Sequence, residues 1–123
     1  EKHDLLKNLA KVAIKYKISA IIATNTSMSR NNVVDDIDEQ GGLSGKPISS
    51  MALDTLTAIK SVVGDKVDLI GVGGISDLPS AQAKLDNGAK LLQVYTGLIY
   101  NGPNFVYDLQ RKLGFFDNRS LEF

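Results

Sequence analysis

The sequence predicts an α/β fold built on a parallel sheet, and three observations carry this. Apolar runs of strand length recur along the chain, at Ile18–Ala23, Val67–Val72 and Lys90–Tyr95. Longer segments between them return their apolar residues at helical spacing. Each strand run ends in small, polar or glycine residues, where a βα loop begins. The predicted order is α-β-(long loop)-α-β-α-β-α, and alternation of this kind means parallel strands with helical cover. Three strands do not close a (β/α)₈ barrel, which needs about 250 residues. A small open sheet and a piece of a barrel both remain.

Bulk properties narrow the function classes. The 123 residues suffice for one small domain with a real core. Fourteen basic and 14 acidic residues cancel, which gives no case for a nucleic-acid partner. The absence of cysteine excludes a disulfide framework and thiolate chemistry within this stretch. No apolar run approaches the roughly 18 residues of a spanning helix, and no signal or transit peptide is visible. The chain opens on EKHDLLKNLA without a methionine, so a piece of something larger is expected.

Leu5, Leu9, Val12, Ala13 and Tyr16 repeat at helical spacing with lysines between them and predict the first helix, with Asp4 as a candidate cap. His3 is the only histidine and reads as a surface residue; alone it makes no metal site. The strand Ile18–Ala23 runs into Thr24-Asn25-Thr26-Ser27, residue types that suit turns and caps as well as a ligand. Asn25 offers both a donor and an acceptor. The stretch Ser29–Gln40 carries Asp35, Asp36, Asp38 and Glu39 and reads as a solvated excursion. Gly41-Gly42-Leu43-Ser44-Gly45-Lys46-Pro47 then makes a good anion-binding turn, although it is not a P-loop. Pro47 is expected to keep Lys46 extended.

The second helix is expected over Met51–Val63, with Leu53, Leu56, Ile59, Lys60 and Val63 on or near one face and Gly64 ending it. The strand Val67–Val72 feeds Gly73-Gly74, where missing side chains let another group approach the backbone. GVGG does not match GxGxxG, so a dinucleotide fingerprint is weakly supported. Ser76 or Asp77 caps a short helix with Leu78, Ala81 and Leu85 inward, Pro79 in its first turn, and Asn87-Gly88 at its close. The third strand holds Gln93, which either crosses a barrel interior or satisfies a backbone group, and Thr96-Gly97 follow it. A last helix carries Phe105, Val106, Leu109 and Leu113. The tail after Leu113 is patternless, and Phe115, Phe116 and Phe123 imply that it packs somewhere. A barrel often builds a phosphate site from the loops after its last two strands.

These motifs resemble the C-terminal part of dihydroorotate dehydrogenase. The matching pieces are ATNT at Ala23–Thr26, GGLSGKP at Gly41–Pro47, IGVGGI at Ile70–Ile75 and NGAKLLQVYTGLIYNGP at Asn87–Pro103. They run in family order from about Ile18 to Leu113, leaving 114–123 as an atypical tail. GLSGKP followed by QVYTGLIYNGP resembles the membrane-associated, quinone-linked class 2 enzymes. The resemblance implies a (β/α)₈ TIM barrel, with this chain supplying about its last three βα units. It implies FMN at the C-terminal mouth of the strands and the oxidation of (S)-dihydroorotate to orotate in pyrimidine synthesis. The flavoprotein would pass hydride from C6 of dihydroorotate to FMN and electrons on to quinone. Residue by residue, it implies FMN contacts at Thr24, Gly45, Gly74, Tyr95 and Thr96, and substrate contacts at Asn25 and Thr26. Gly74 is then expected to tolerate no side chain because the FMN phosphate approaches its backbone.

The same resemblance locates what these residues lack. The catalytic base is a serine in an earlier loop, the family's FMN-contacting lysine also lies earlier, and neither Ser27, Ser44 nor Lys46 replaces them. Quinone would be reached through N-terminal helices outside this stretch, and the remainder of the barrel would be the closest partner. The implied location is membrane-associated: the mitochondrial inner membrane in a eukaryote, the cytoplasmic membrane in a bacterium. The rival enzyme reading is another FMN-binding barrel, such as a dihydropyrimidine dehydrogenase-like domain. The non-enzyme rival is a flavin-free scaffold or interaction module.

Overall fold

A computed structural model describes residues 2–30, 33 and 40–115. The elements run α1 (Lys2–Lys15), β1 (Ala20–Ala23), a 3-10 turn (Lys46–Ile48), α2 (Ser49–Val63), β2 (Asp68–Val72), α3 (Leu78–Asp86), β3 (Leu91–Gln93), α4 (Thr96–Asn101) and α5 (Phe105–Lys112). The strands form one sheet in chain order, parallel throughout. Ala20 faces Asp68 and Ala23 faces Gly71 across the first pair; Ile70 faces Leu91 and Val72 faces Gln93 across the second. Helix-linked parallel neighbours in chain order suit a segment of (β/α) barrel wall, a pattern that an open parallel sheet shares. Among the described residues no helix is long and apolar enough to cross a membrane.

Strand period two separates the faces of this wall. Ala23, Leu69 and Leu92 join the apolar cluster beneath the helices, together with Leu56, Ile59 and Val63 of α2. Ile22, Ile70 and Leu91 share a row on the opposite face, where Ile22 and Leu91 are exposed. A second cluster joins Ile75 and Ala81 to Phe105 and Leu109 of α5.

Several expected elements shift. On α1 the buried residues are Ala10 and Ala13, with Leu6 and Ile14 packed beside them, while Leu5, Leu9, Val12 and Tyr16 are exposed. Asp4 lies inside the first turn rather than ahead of it. The chain leaves α1 through Lys17 at φ +54, and the Ile18 N–H donates back to the Ala13 carbonyl, so β1 starts only at Ala20. Lys46 opens a 3-10 turn instead of extending, and that turn leads directly into α2 at Ser49. Ala52 takes the buried place expected for Leu53. Gly64 does end α2, its N–H bonded to the Lys60 carbonyl.

Asp77 caps α3 in a reciprocal arrangement. Its carboxylate accepts the Ser80 N–H at 2.9 Å, and the Ser80 hydroxyl accepts the Asp77 N–H at 3.1 Å. The fully buried residues of α3 are Ala81 and Lys84, the latter unforeseen. β3 is half the length expected because the chain turns after Gln93 into α4. No amphipathic period marks that helix in the sequence, since it spans six residues and leaves Leu98, Ile99 and Tyr100 exposed. On α5, Phe105 and Leu109 turn inward, while Val106 is exposed. Phe115 is exposed; the acidic run Asp35–Glu39, the His3 side chain and the tail from Phe116 lie outside the described residues.

Candidate functional site

The three strands end on one side of the sheet, and their exits gather the expected contact residues. Thr24, Asn25 and Thr26 follow β1, Gly74 follows β2, and Tyr95 and Thr96 follow β3. Gly45 comes from the loop ahead of α2. All seven line one hollow of about 220 Å³, with Ser44, Gln93 and Gly97 among its other walls. A larger open hollow of about 1040 Å³ adjoins it and shares Ser44, Gly45, Ile75, Thr96 and Gly97. Lys46 and Arg30 line only that larger space.

Backbone and side-chain hydrogen bonds set these loops. The Ala23–Thr24 peptide is cis, and the Thr24 N–H donates to the Val72 carbonyl at 3.0 Å, so the first exit is tied to the second strand. Asn25 Oδ1 accepts the Thr26 N–H at 2.8 Å, which leaves both amide protons of Asn25 for an outside partner. Ser27 and Leu43 exchange backbone hydrogen bonds in an isolated antiparallel bridge, pinning the β1 exit to the Gly41–Pro47 loop. The Ser27 hydroxyl accepts the Ser29 N–H and donates to Met51 Sδ. The Ser44 and Thr96 hydroxyl oxygens lie 2.8 Å apart. Both serines are thus engaged within the chain.

Two glycines permit the close approach of the loops. Gly74 sits at φ +72, and a Cβ there would strike the Ser49 backbone, 2.8 Å from its nitrogen, where α2 begins. The intolerance expected there from a ligand therefore has a cause within the chain itself. Gly45 sits at φ +77, and a Cβ there would come 2.9 Å from Thr96 Cγ2.

Charge stands back from the smaller hollow. Among the described residues its lining is neutral: hydroxyls, two carboxamides and glycine backbone stand among the aliphatic side chains of Ile48, Val72, Ile75 and Val94, with the Tyr95 residue 77 % exposed. Asp77, on the larger hollow, has its carboxyl held below the usual carboxylate range by the Ser80 side chain and N–H, with Lys46 adding attraction. Hydroxyl and backbone donors over bare glycine suit a phosphoryl group, and carboxamides suit a ring bearing carbonyl and N–H edges. The donor set fits a phosphorylated heterocyclic cofactor with a small polar heterocycle beside it. No group of three or more His, Cys, Asp or Glu able to hold a metal occurs among the described residues.

Ser44, part of the anion-binding turn expected at Gly41–Pro47 but not one of the contacts that the resemblance implies, lines the hollow beside Gly45. Gly97 was noted only as following the strand. It is buried because the Ile75 carbonyl lies where its Cβ would be. Gln93 resolves as a wall of the hollow.

Fold and site together define a segment of a (β/α) barrel, with its polar residues gathered at the C-terminal strand ends. The chain belongs to the dihydroorotate dehydrogenase family, whose model matches residues 3–116. It is 46 % identical over 111 residues to dihydroorotate dehydrogenase (quinone) of Legionella pneumophila strain Corby, covering 89 % of this chain and 33 % of that protein. With the enzyme of the same name from Cupriavidus pinatubonensis it shares 47 % identity over 107 residues, 85 % of this chain and 31 % of the relative. The crystal structure of Eimeria tenella DHODH in complex with ferulenol superposes with a TM-score of 0.82 at 28 % identity, over 91 % of this chain and 31 % of that one. The chain thus spans about one third of the length of the relatives it matches.

Proposed function

We propose that this chain supplies the last strand ends of a quinone-linked dihydroorotate dehydrogenase, an oxidoreductase of pyrimidine biosynthesis that converts (S)-dihydroorotate to orotate. The observation that carries the reading is the convergence of Thr24, Asn25, Thr26, Gly45, Gly74, Tyr95 and Thr96 on one hollow, from the three connections that follow β1, β2 and β3. The family membership and the fit of the donor set support it. FMN, when bound, supplies the hydride acceptor. Thr24, Gly45, Gly74, Tyr95 and Thr96 hold the flavin and its phosphate. Asn25 and Thr26 orient the pyrimidine ring, with the free amide protons of Asn25 directed to ring carbonyls. No residue of this chain takes the role of base; that falls to a serine elsewhere in the full protein.

The reading extends to partners. The exposed row of Ile22 and Leu91, and the exposed stripe of Leu5, Leu9, Val12 and Tyr16 on α1, are covered by the remaining strands and helices of the barrel. Quinone reaches the flavin through helices outside this chain, and the whole protein associates with a membrane through them. The test is purification of the full-length parent. A bound flavin spectrum and dye reduction with dihydroorotate, but not with dihydrouracil, are expected. A flavin-free protein, or one that prefers dihydrouracil, overturns the assignment.

A further inference from the structure

We propose that Ser44 is a positioning residue for flavin retention that acts through Thr96. The inference rests on the function proposed above and adds a residue to which that reading gives no role. Ser44 and Thr96 stand 52 positions apart in the chain, yet their hydroxyl oxygens are 2.8 Å apart and both residues are half-buried. The contact has an apolar half as well, since Gly45 packs against the Thr96 methyl so closely that a Cβ would come within 2.9 Å. The Gly41–Pro47 loop is therefore fastened twice. Leu43 is held by backbone hydrogen bonds to Ser27, and Ser44 by one side-chain hydrogen bond to Thr96.

The direction of that hydrogen bond follows from hydroxyl chemistry. A hydroxyl has one proton to give and two lone pairs to receive with. In a pair of hydroxyls one donates and the other accepts, and the acceptor keeps its own proton for a third group. An anionic phosphate oxygen is a stronger acceptor than a serine hydroxyl. With a phosphate beside Thr96, the Thr96 proton goes to the phosphate and Ser44 donates to Thr96 Oγ1. Ser44 thus fixes the rotor of the Thr96 hydroxyl with its proton toward the hollow. It also keeps Gly45 and Thr96, both assigned to the flavin, at one spacing.

The experiment uses the full-length enzyme and reads FMN affinity by recovery of flavin fluorescence after stripping and titration. Ser44→Ala is expected to weaken FMN binding about five-fold, the scale of one net hydrogen bond. Ser44→Thr, which keeps the hydroxyl, restores binding to near the parent value. The decisive comparison is the double variant. Because Ser44 acts through Thr96, Ser44→Ala adds nothing in a Thr96→Val background. Melting temperatures of the apo-proteins are expected to match. Unchanged FMN affinity in Ser44→Ala, no rescue by Ser44→Thr, or a full additional loss in the double variant overturns the role of Ser44. So does a fall in apo-protein stability large enough to account for the loss. A parent that carries no FMN at all overturns the proposed function and this inference together, whereas a flavin-loaded parent with additive variants overturns this inference alone.

Discussion

The Asn25 side chain stands exposed beyond the end of β1, with its carbonyl already accepting the Thr26 N–H. Its amide protons have no hydrogen-bond partner among the described residues. In the full enzyme Asn25→Ala is expected to cost about 1–3 kcal/mol of substrate binding, the penalty for leaving a buried ligand group unpaired. Steady-state kinetics should show kcat/KM for dihydroorotate falling while the flavin spectrum stays intact; an unchanged kcat/KM removes Asn25 from the substrate site. Lys84 is the opposite case, a charge-bearing group with no task at the strand ends. It is 2 % exposed, and its Nζ has no hydrogen-bond partner among the described residues. Its stem lies over the bare backbone of Gly71, with Cδ 3.0 Å from where a Cβ would sit. Burial pushes the amine below the ordinary lysine value. The sign of the linkage follows. Below the lowered folded value the ammonium is charged in both states and its full burial penalty weighs on the fold. Between that value and the unfolded value the unfolded chain binds more proton, so stability rises with pH. Lys84→Met should therefore stabilise the full enzyme at neutral pH by about 1 kcal/mol or more, since removal of an uncompensated buried charge is favourable. Urea denaturation at pH 7 and pH 10 checks this: the gap between the two proteins should narrow at the higher pH, and parallel profiles would contradict a buried, unpaired amine.

Elements meet at the turn between β2 and α3, where the Gly73-Gly74 backbone passes beneath the start of α2. The steric limit at Gly74 is set by Ser49, a residue of the protein, and the φ of +72 adds a penalty for any L side chain. Left-handed backbone costs a non-glycine residue about 1–2 kcal/mol before any collision is counted. Gly74→Ala should thus displace α2 and lower the stability of the full enzyme by more than about 2 kcal/mol. In thermal denaturation the variant should melt several degrees low with or without excess FMN. Recovery of the parent melting temperature on adding FMN would assign the glycine to the ligand alone. The capping box of α3 fixes the other side of the same turn. Asn101 adds to it from α4, its amide donating to the Gly97 carbonyl at 2.8 Å and the Ser76 carbonyl at 3.3 Å.

Among the described residues the sheet ends at β1 and at β3 with no further strand beside either, and its row of Ile22, Ile70 and Leu91 has no opposing strands. An open parallel edge with apolar residues beside it pairs readily with other chains. The 123-residue chain on its own is therefore expected to self-associate, and to bind FMN far more weakly than the full enzyme. Size-exclusion chromatography and a flavin fluorescence titration of the isolated chain measure both. A soluble monomer that binds FMN tightly at one to one would show that these three strands need no further barrel.

The alternation of strands and helices, the polar strand ends and the glycine turns were all legible in the residues. They depend on local rules: strand-length apolar runs, cap chemistry at Asp77, and glycine where the chain leaves the second strand. The seven residues expected to contact ligand follow from the family resemblance, and only the fold draws them round one hollow. Tertiary structure alone decided which face of α1 turned inward. Leu5, Leu9, Val12 and Tyr16 form one helical stripe, and Leu6, Ala10, Ala13 and Ile14 form another. Close contact with α2 admits small side chains, so Ala10 and Ala13 were buried and the larger stripe faced away. The same holds for Lys84, since a lysine on an amphipathic helix reads as solvent-facing until the facing strand presents Gly71. It holds for the Ser44–Thr96 pair as well, because no pattern within a window of the sequence joins two hydroxyls that only the meeting of two loops brings together.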